Sequence, residues 1–249
     1  MKKTATAVLL AMAVFCGASA ASAVEVNLSV QYASQYVGSS GWVFTDHAGL
    51  KTDVTVSFDN GIYADVWNFT NFEGDFEDGE ANEFDYGLGW AGEVFGVTLD
   101  TGVYYYNYVG FGEMEGDSWC FYVGVAKQFD ISDTHHLVPS VKLEGYIPAE
   151  GDSSEEHGAD VIVNVEHSWD VMPELLTLYH TPGLFYDDGQ FGGESGVLGS
   201  WEVGMNYFIT EDLTLDASWL ISTPLAGMDD GRETETVLSA GLNYAFSTF

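Results

Sequence analysis

The chain is short of positive charge. Six Lys and Arg stand against 39 Asp and Glu, a formal net charge of −33. Two of the six, Lys2 and Lys3, belong to the N-terminal leader, which leaves Lys51, Lys127, Lys142 and Arg232 for the rest of the chain. Nucleic acid is excluded as a partner on this ground, because binding it relies on Lys and Arg to neutralise phosphates. Cysteine is as scarce: Cys16 lies in the leader and Cys120 beyond it, so the exported chain can form no internal disulfide. After the leader no apolar run approaches the ~18 to 20 residues that a spanning helix needs. No segment of ten or more residues has a convincing helical period either. Any membrane crossing must therefore be made by strands. The 15% aromatic content argues against a disordered acidic chain.

Residues 1 to 23, "MKKTATAVLLAMAVFCGASAASA", have two lysines, an apolar stretch from about Ala7 to Phe15 and the small-residue site Ala21-Ser22-Ala23. This is the pattern of a cleaved secretory signal peptide. Phe15 is too bulky for the position before a lipoprotein cysteine at Cys16, so cleavage after Ala23 is expected. Residues 24 to 249 then form one domain, with no linker or low-complexity break.

What the sequence has in quantity is alternation. Val26/Leu28/Val30/Tyr32, Phe84/Tyr86/Leu88/Trp90, Trp119/Phe121/Val123/Val125, Trp201/Val203/Met205/Tyr207 and Leu213/Leu215/Ala217/Trp219/Ile221 are among about twelve period-2 segments. Their intervening residues are mostly Ser, Thr, Asn, Gly, Asp or Glu, the mark of a sheet with one apolar and one wet face. The connections alternate as well. A long polar stretch (38 to 49) precedes the tight turn Asp59-Asn60-Gly61, where Asn-Gly suits a two-residue hairpin. Long connections (72 to 82, 110 to 117, 148 to 158, 187 to 196, 223 to 232) then interleave with short ones (91 to 96, 130 to 135, 170 to 173, 210 to 212). A soluble meander has no reason to lengthen every second loop, whereas an outer-membrane barrel has short periplasmic turns and long outer loops. The expected fold is all-β: a transmembrane, up-and-down antiparallel β-barrel of about 12 strands. Ten to fourteen are compatible, because segments 50 to 58 and 174 to 186 alternate weakly and the second contains Pro182.

The chain ends "LSAGLNYAFSTF", with Leu238, Ala240, Leu242, Tyr244 and Phe246 at every second position. This resembles the signal by which the barrel assembly machinery receives a closing strand, and that machinery, outer-membrane lipid and lipopolysaccharide are the expected partners. Phe249 is out of phase, which implies a short tail or a bulge.

On the wet parity lie Glu25, Asp85, Asp100, Glu144, Asp160, Glu166, Glu202 and Asp216, with Lys142 the clearest basic residue. Asp85, Asp100, Lys142, Glu144, Asp160, Glu166, Glu202 and Asp216 are the candidate pore-lining residues. Carboxylates around a water-filled passage favour cations and small neutral solutes over anions; the same acids could equally serve only to keep a wet interior soluble. The outer loops add further acids, among them Glu73, Asp75, Glu77, Asp78, Glu80, Glu113, Glu115, Asp117, Asp229 and Asp230, which concentrate cations within the ~8 to 10 Å that salt allows. "EGDFEDGE" (73 to 80) fails the EF-hand spacing, since Asp78 stands where that loop needs glycine. Trp90 and Trp169 fall near the inner strand ends and Trp119 near an outer one, as interfacial belts require.

Some outer-membrane barrels hydrolyse or transfer acyl chains with a histidine, a serine and an acid. His47, His157 and His180 have acids or hydroxyls nearby, but no His-x-Ser-Asn-like stretch occurs. His167 and Ser168 point to opposite faces of one strand, and His135 and His136 fall in a short turn. No catalytic residue, metal ligand or cofactor is expected, and the competing readings are a lipid-modifying enzyme, a plugged structural barrel and a soluble periplasmic ligand-binding barrel.

Four stretches, "VNLSVQYASQYVGSSGWVF" (26 to 44), "NGIYADVWNF" (60 to 69), "FDYGLGWAGEVFGVTLDTGVYYYNY" (84 to 108) and "FYVGVAKQF" (121 to 129), resemble the TorF-type porin family of small Gram-negative outer-membrane barrels. The resemblance covers about the first half of the exported chain and implies a porin fold and location. The chain departs from it at Gly38-Ser39-Ser40, where that family commonly has Arg-Gly, and at Asp65, where glycine is usual, so no lumen residue is carried over.

Overall fold

A computed structural model describes residues 24–39, 41–73, 82–109, 117–149, 157–189, 194–228 and 231–248. The leader, Phe249 and most of the acidic loop residues named above, including 75 to 80, lie outside them. Among the described residues fifteen strands occur in chain order. They are β1 (Val24–Ala33), β2 (Tyr36–Val37), β3 (Val43–Thr45), β4 (Gly49–Phe58), β5 (Ile62–Asn71), β6 (Asn82–Val94), β7 (Val97–Val109) and β8 (Ser118–Ala126). The rest are β9 (Phe129–Ser132), β10 (His135–Pro148), β11 (Gly158–Met172), β12 (Leu176–Asp187), β13 (Gly196–Phe208), β14 (Leu213–Ala226) and β15 (Glu235–Thr248).

Twelve of these close into an antiparallel barrel. Each wall strand pairs with its neighbours in sequence, and the ring closes where β1 pairs with both β15 and β4. β9 continues the line of β8 beside the first residues of β10, and β2 with β3 forms a separate hairpin inside the connection from β1 to β4. Closure leaves the twelve-stranded ring without an open edge, the one way a sheet can sit in lipid without unpaired backbone groups.

The period of two decides which side chain meets which solvent. Leu28, Val30, Val54, Val66, Leu88, Val123, Val141, Val163, Leu184, Val203 and Leu242 are all exposed on the outer face. Trp119, Trp169, Trp201, Trp219, Tyr207, Tyr244 and Phe246 share that face. Such an apolar belt with interfacial aromatics is stable only in a bilayer, so the protein is a bacterial outer-membrane barrel. The closing strand keeps one register from Ala33–Ser239 to Val24–Thr248, without a bulge.

Three local expectations are corrected. The turn after β4 has three residues, with Gly61 in the left-handed region at φ 85° and its N–H donating to Phe58 O at 2.9 Å. Phe95-Gly96 is a two-residue turn, at φ 54° and 76°, because β6 runs on through residues 91 to 94 and β7 begins at Val97. His135 and His136 open β10 instead of lying in the preceding turn. The weak alternation near Pro182 also has a cause. No pairing joins Thr181 and Pro182 to β11, where the ladder passes from Asn164–Gly183 to His167–His180, so the missing proline N–H is tolerated at a gap.

Among the described residues, two apolar clusters pack inside the barrel at the long-loop end. Ala33, Tyr36, Phe69 and Val237 form one buried cluster, with Val37, Phe44, Trp67 and Leu220 packed against it. Phe185, Leu198 and Met228 form another, with Ile162 against it.

Candidate functional site: the lumen and its outer mouth

All eight candidates project from the inward parity of their strands. Register makes this explicit: Asp85 stands between Trp67 of β5 and Tyr106 of β7, and Glu144 between Tyr122 of β8 and Asp160 of β11. The structure brings several together. Lys142 Nζ lies 2.6 Å from Glu144 Oε1, and Tyr146 donates to Glu144 at 2.8 Å. Asp100 accepts hydrogen bonds from Tyr63 at 2.8 Å and Tyr122 at 3.2 Å. Asp216 accepts from Gln31 at 3.0 Å, and Tyr179 reaches Asp216 at 3.3 Å and Glu202 at 3.5 Å. Asp160 is buried near the outer mouth, and Glu166 is exposed in the lower half of β11.

The inner face holds more charge than alternation revealed. Lys51, Asp53, Asp65 and Glu83 project inward with the residues they oppose, Lys51 beside Phe69, Asp53 beside Trp67, Asp65 beside Gly87 and Phe69 beside Glu83. In β4 the signal was masked because Thr52 shares the outer face with Leu50 and Val54. Asp65 is one of the two departures from the TorF-type pattern, and that departure was the available sign.

Large side chains are held against the wall by glycines. Tyr63, Gly89, Gly102 and Tyr122 form one row across β5 to β8, and the two tyrosine hydroxyls meet over the glycines. A Cβ at Gly89 would come within 2.5 Å of the Tyr63 ring and 2.7 Å of the Tyr122 hydroxyl. A row above, Tyr104 lies over Gly87, whose Cβ would meet that ring at 2.5 Å. Bulk that would otherwise cross the lumen is laid flat by the absence of a side chain on the adjacent strand.

The outer mouth is covered from two sides. Tyr36 of the β2–β3 hairpin reaches inward, its ring 4.8 Å from Phe69, 4.9 Å from Phe44 and 5.5 Å from Trp67, and its hydroxyl donates to the Glu83 carboxylate. Gln35 donates to Glu235 at 3.0 Å. From the β14–β15 connection, Arg232 pairs with Asp187 and donates to Glu194 O. Its guanidinium lies 4.9 Å from the Trp42 ring, which ties this loop to the hairpin. Below the hairpin is a cavity of about 280 Å³, bounded by Asp53, Asp65, Trp67, Glu83, Asp85, Tyr104, Tyr106, Lys142 and Tyr146 and roofed by Tyr36 and Phe44.

Three histidines, His135, His167 and His180, collect on the outer face. His135 Nδ1 is 3.2 Å from His167 Nε2, and His167 Nδ1 is 3.2 Å from His180 Nε2, with Trp169 stacked on His135 and Trp201 against His180. They neighbour one another, not a serine, and no cluster of metal-holding side chains occurs among the described residues. At the short-turn end, in β9, hydrogen bonds from Gln128 and His136 hold the Asp130 carboxyl below its ordinary range.

No family model matches the sequence, and no curated protein matches it. Solved structures match the fold. The NanC porin aligns with 88% of this chain and 98% of its own at 13% identity, with a TM-score of 0.56. The KdgM porin, solved with a disordered oligogalacturonate, aligns with 90% of this chain and 99% of its own at 10% identity and a TM-score of 0.52. An outer-membrane channel from Pseudomonas putida F1 covers 92% and 97% at 11% identity, also with a TM-score of 0.52. The chain has the fold of outer-membrane porins and channels.

Proposed function

We propose that the protein is a passive outer-membrane channel for small cationic and neutral solutes, without catalytic activity. Asp85, Asp100, Lys142, Glu144, Asp160, Glu166, Glu202 and Asp216 would line its path. The observation that carries the reading is the charge balance of the inner face. Lys51 and Lys142 are the inward-facing bases of the wall, and the Lys142 charge is taken by Glu144. The acids on that face outnumber them several-fold, which raises the local cation concentration and repels anions. The oligogalacturonate of the KdgM structure is a polyanion, and a lumen of this charge would disfavour it. We also infer kinship with the TorF-type porins, supported by the four stretches in the first half of the chain.

The covered mouth supports a gated channel over a permanently open one. The experiment is planar-bilayer recording of the refolded protein in a salt gradient. Stepwise conductance with a cation-selective reversal potential is expected. A correctly folded barrel that never conducts would move the plugged, structural reading to the front.

A further inference from the structure

The cavity under the β2–β3 hairpin is built from two kinds of wall in alternation. One row across β4 to β7 reads Asp53, Trp67, Asp85, Tyr106. Directly opposed residues of neighbouring strands place their Cβ atoms ~5 Å apart, so a carboxylate flanks Trp67 on either side. The next row toward the periplasm supplies Asp65 and, beyond Gly87, Tyr104.

Asp85 is the informative member. It is 6% exposed, and its Oδ1 is buried without a hydrogen-bond partner while the residue borders the cavity. A buried carboxylate oxygen with nothing donating to it is costly, and a donor or cation in the cavity would remove that cost. Across the same cavity the chain shows how such a group is held. The Lys142 ammonium lies 2.6 Å from a Glu144 oxygen and 4.6 Å from the centre of the Tyr122 ring. A carboxylate and an aromatic face together bind one primary ammonium there, and the row through Trp67 offers the same two components.

We propose that this cavity is a binding site for a small aliphatic ammonium ion, most favourably a diammonium whose ends engage the Asp53 and Asp85 sides of Trp67. Aromatic faces add their own attraction for alkylammonium ions to that of the carboxylates, and Trp is the strongest of the rings. A hard metal ion gains nothing from Trp67 and the tyrosines and asks for converging oxygens, so an organic cation fits the walls better. The site rests on the reading of the lumen as cation-preferring and names the class of solute that would dwell in it. Because the hairpin roofs the cavity through Tyr36 and Phe44, entry from the outer side requires that hairpin to move.

Putrescine serves as the probe, titrated calorimetrically into the refolded barrel in detergent at low salt, with heat-modifiable migration on gels confirming the fold. Saturable binding is expected that equimolar potassium does not displace. Asp85→Asn and Asp53→Asn should each weaken it about tenfold, and Trp67→Leu several-fold. Two routes overturn the proposal: no saturable binding to the native protein, or binding unchanged in all three variants once each is shown to be folded. A bilayer arm separates this from the channel reading. Putrescine binding in a barrel that does not conduct supports the site and refutes the channel, whereas cation-selective conductance with neither binding nor block by putrescine refutes the site and leaves the channel standing.

Discussion

Arg232 and Asp187 form an ion pair sealed from water at the outer mouth, 2.5 Å apart with side-chain exposures of 1% and 0%. One partner comes from the β14–β15 connection and the other ends β12, and Phe185, Leu198 and Met228 pack in the same region of the mouth. Breaking a buried pair by removing one member leaves a charge without compensation and costs about 3 to 5 kcal/mol. Because Arg232 also rests on Trp42, the loss should reach the hairpin. Arg232→Gln is expected to lower the urea midpoint of unfolding in vesicles and to lengthen open dwell times in single-channel records. Unchanged dwell times would mean that the pair holds structure without gating.

Tyr36 is the second latch. Its ring packs on Phe69, Phe44 and Trp67 and its hydroxyl reaches Glu83. Truncating a buried aromatic costs about 3 to 5 kcal/mol. Tyr36→Ala should therefore release the hairpin, raising conductance and exposing residues 36 to 45 to added protease. A hairpin that stays protected would show that Gln35 and Arg232 suffice to hold it.

The wall was legible in the sequence and the mouth was not, and both facts have the same cause. A barrel wall repeats one physical constraint, lipid outside and water inside, so alternation in segments such as 201 to 207 and 213 to 221 reports it directly. Near the mouth the inner face changes solvent. There Trp67, Phe69, Phe185, Leu198 and Val237 face inward beneath loops, so apolar residues occupy both parities and the period fades. The Tyr36 hairpin has two- and three-residue strands, too short to carry any period. Register, which no single strand records, is what places Asp53 and Asp85 on either side of Trp67.

Glycine at position 89 keeps two tyrosines out of the passage. A Cβ there would meet the Tyr63 ring and the Tyr122 hydroxyl at 2.5 to 2.7 Å. These are the free ends of side chains, so the backbone can stay and the rings must swing inward. Gly89→Val should leave the barrel folded and heat-modifiable but lower its single-channel conductance. A conductance equal to that of the native protein would place the narrowest part of the path elsewhere.

Asp100, Glu166 and Glu202 spread around the inner face, on β7, β11 and β13. Replacing all three with their amides keeps size and hydrogen-bonding capacity, including acceptance from Tyr63 and Tyr122 at Asp100. The triple variant should bring the reversal potential toward zero in a potassium chloride gradient. The residual cation preference would then come from Asp53, Asp65, Glu83 and Asp85 in the upper cavity. A reversal potential that does not shift would remove the three from the ion path.

Val163 tests the assignment of faces most directly. It is opposed by Val141 and Leu184 on the adjacent strands, and all three are exposed on the outer side. Its neighbour Asn164 points the other way. Arginine near the bilayer midplane of a barrel's lipid face costs about 2 to 4 kcal/mol, while lumen positions tolerate it. Val163→Arg should therefore destabilise folding in vesicles by that amount. Asn164→Arg, one residue along, should cost far less and should instead weaken cation preference, since it adds a base to an acidic lumen. Equal costs at the two positions would mean that the strand does not separate lipid from water here, and the barrel's orientation of faces would have to be redrawn.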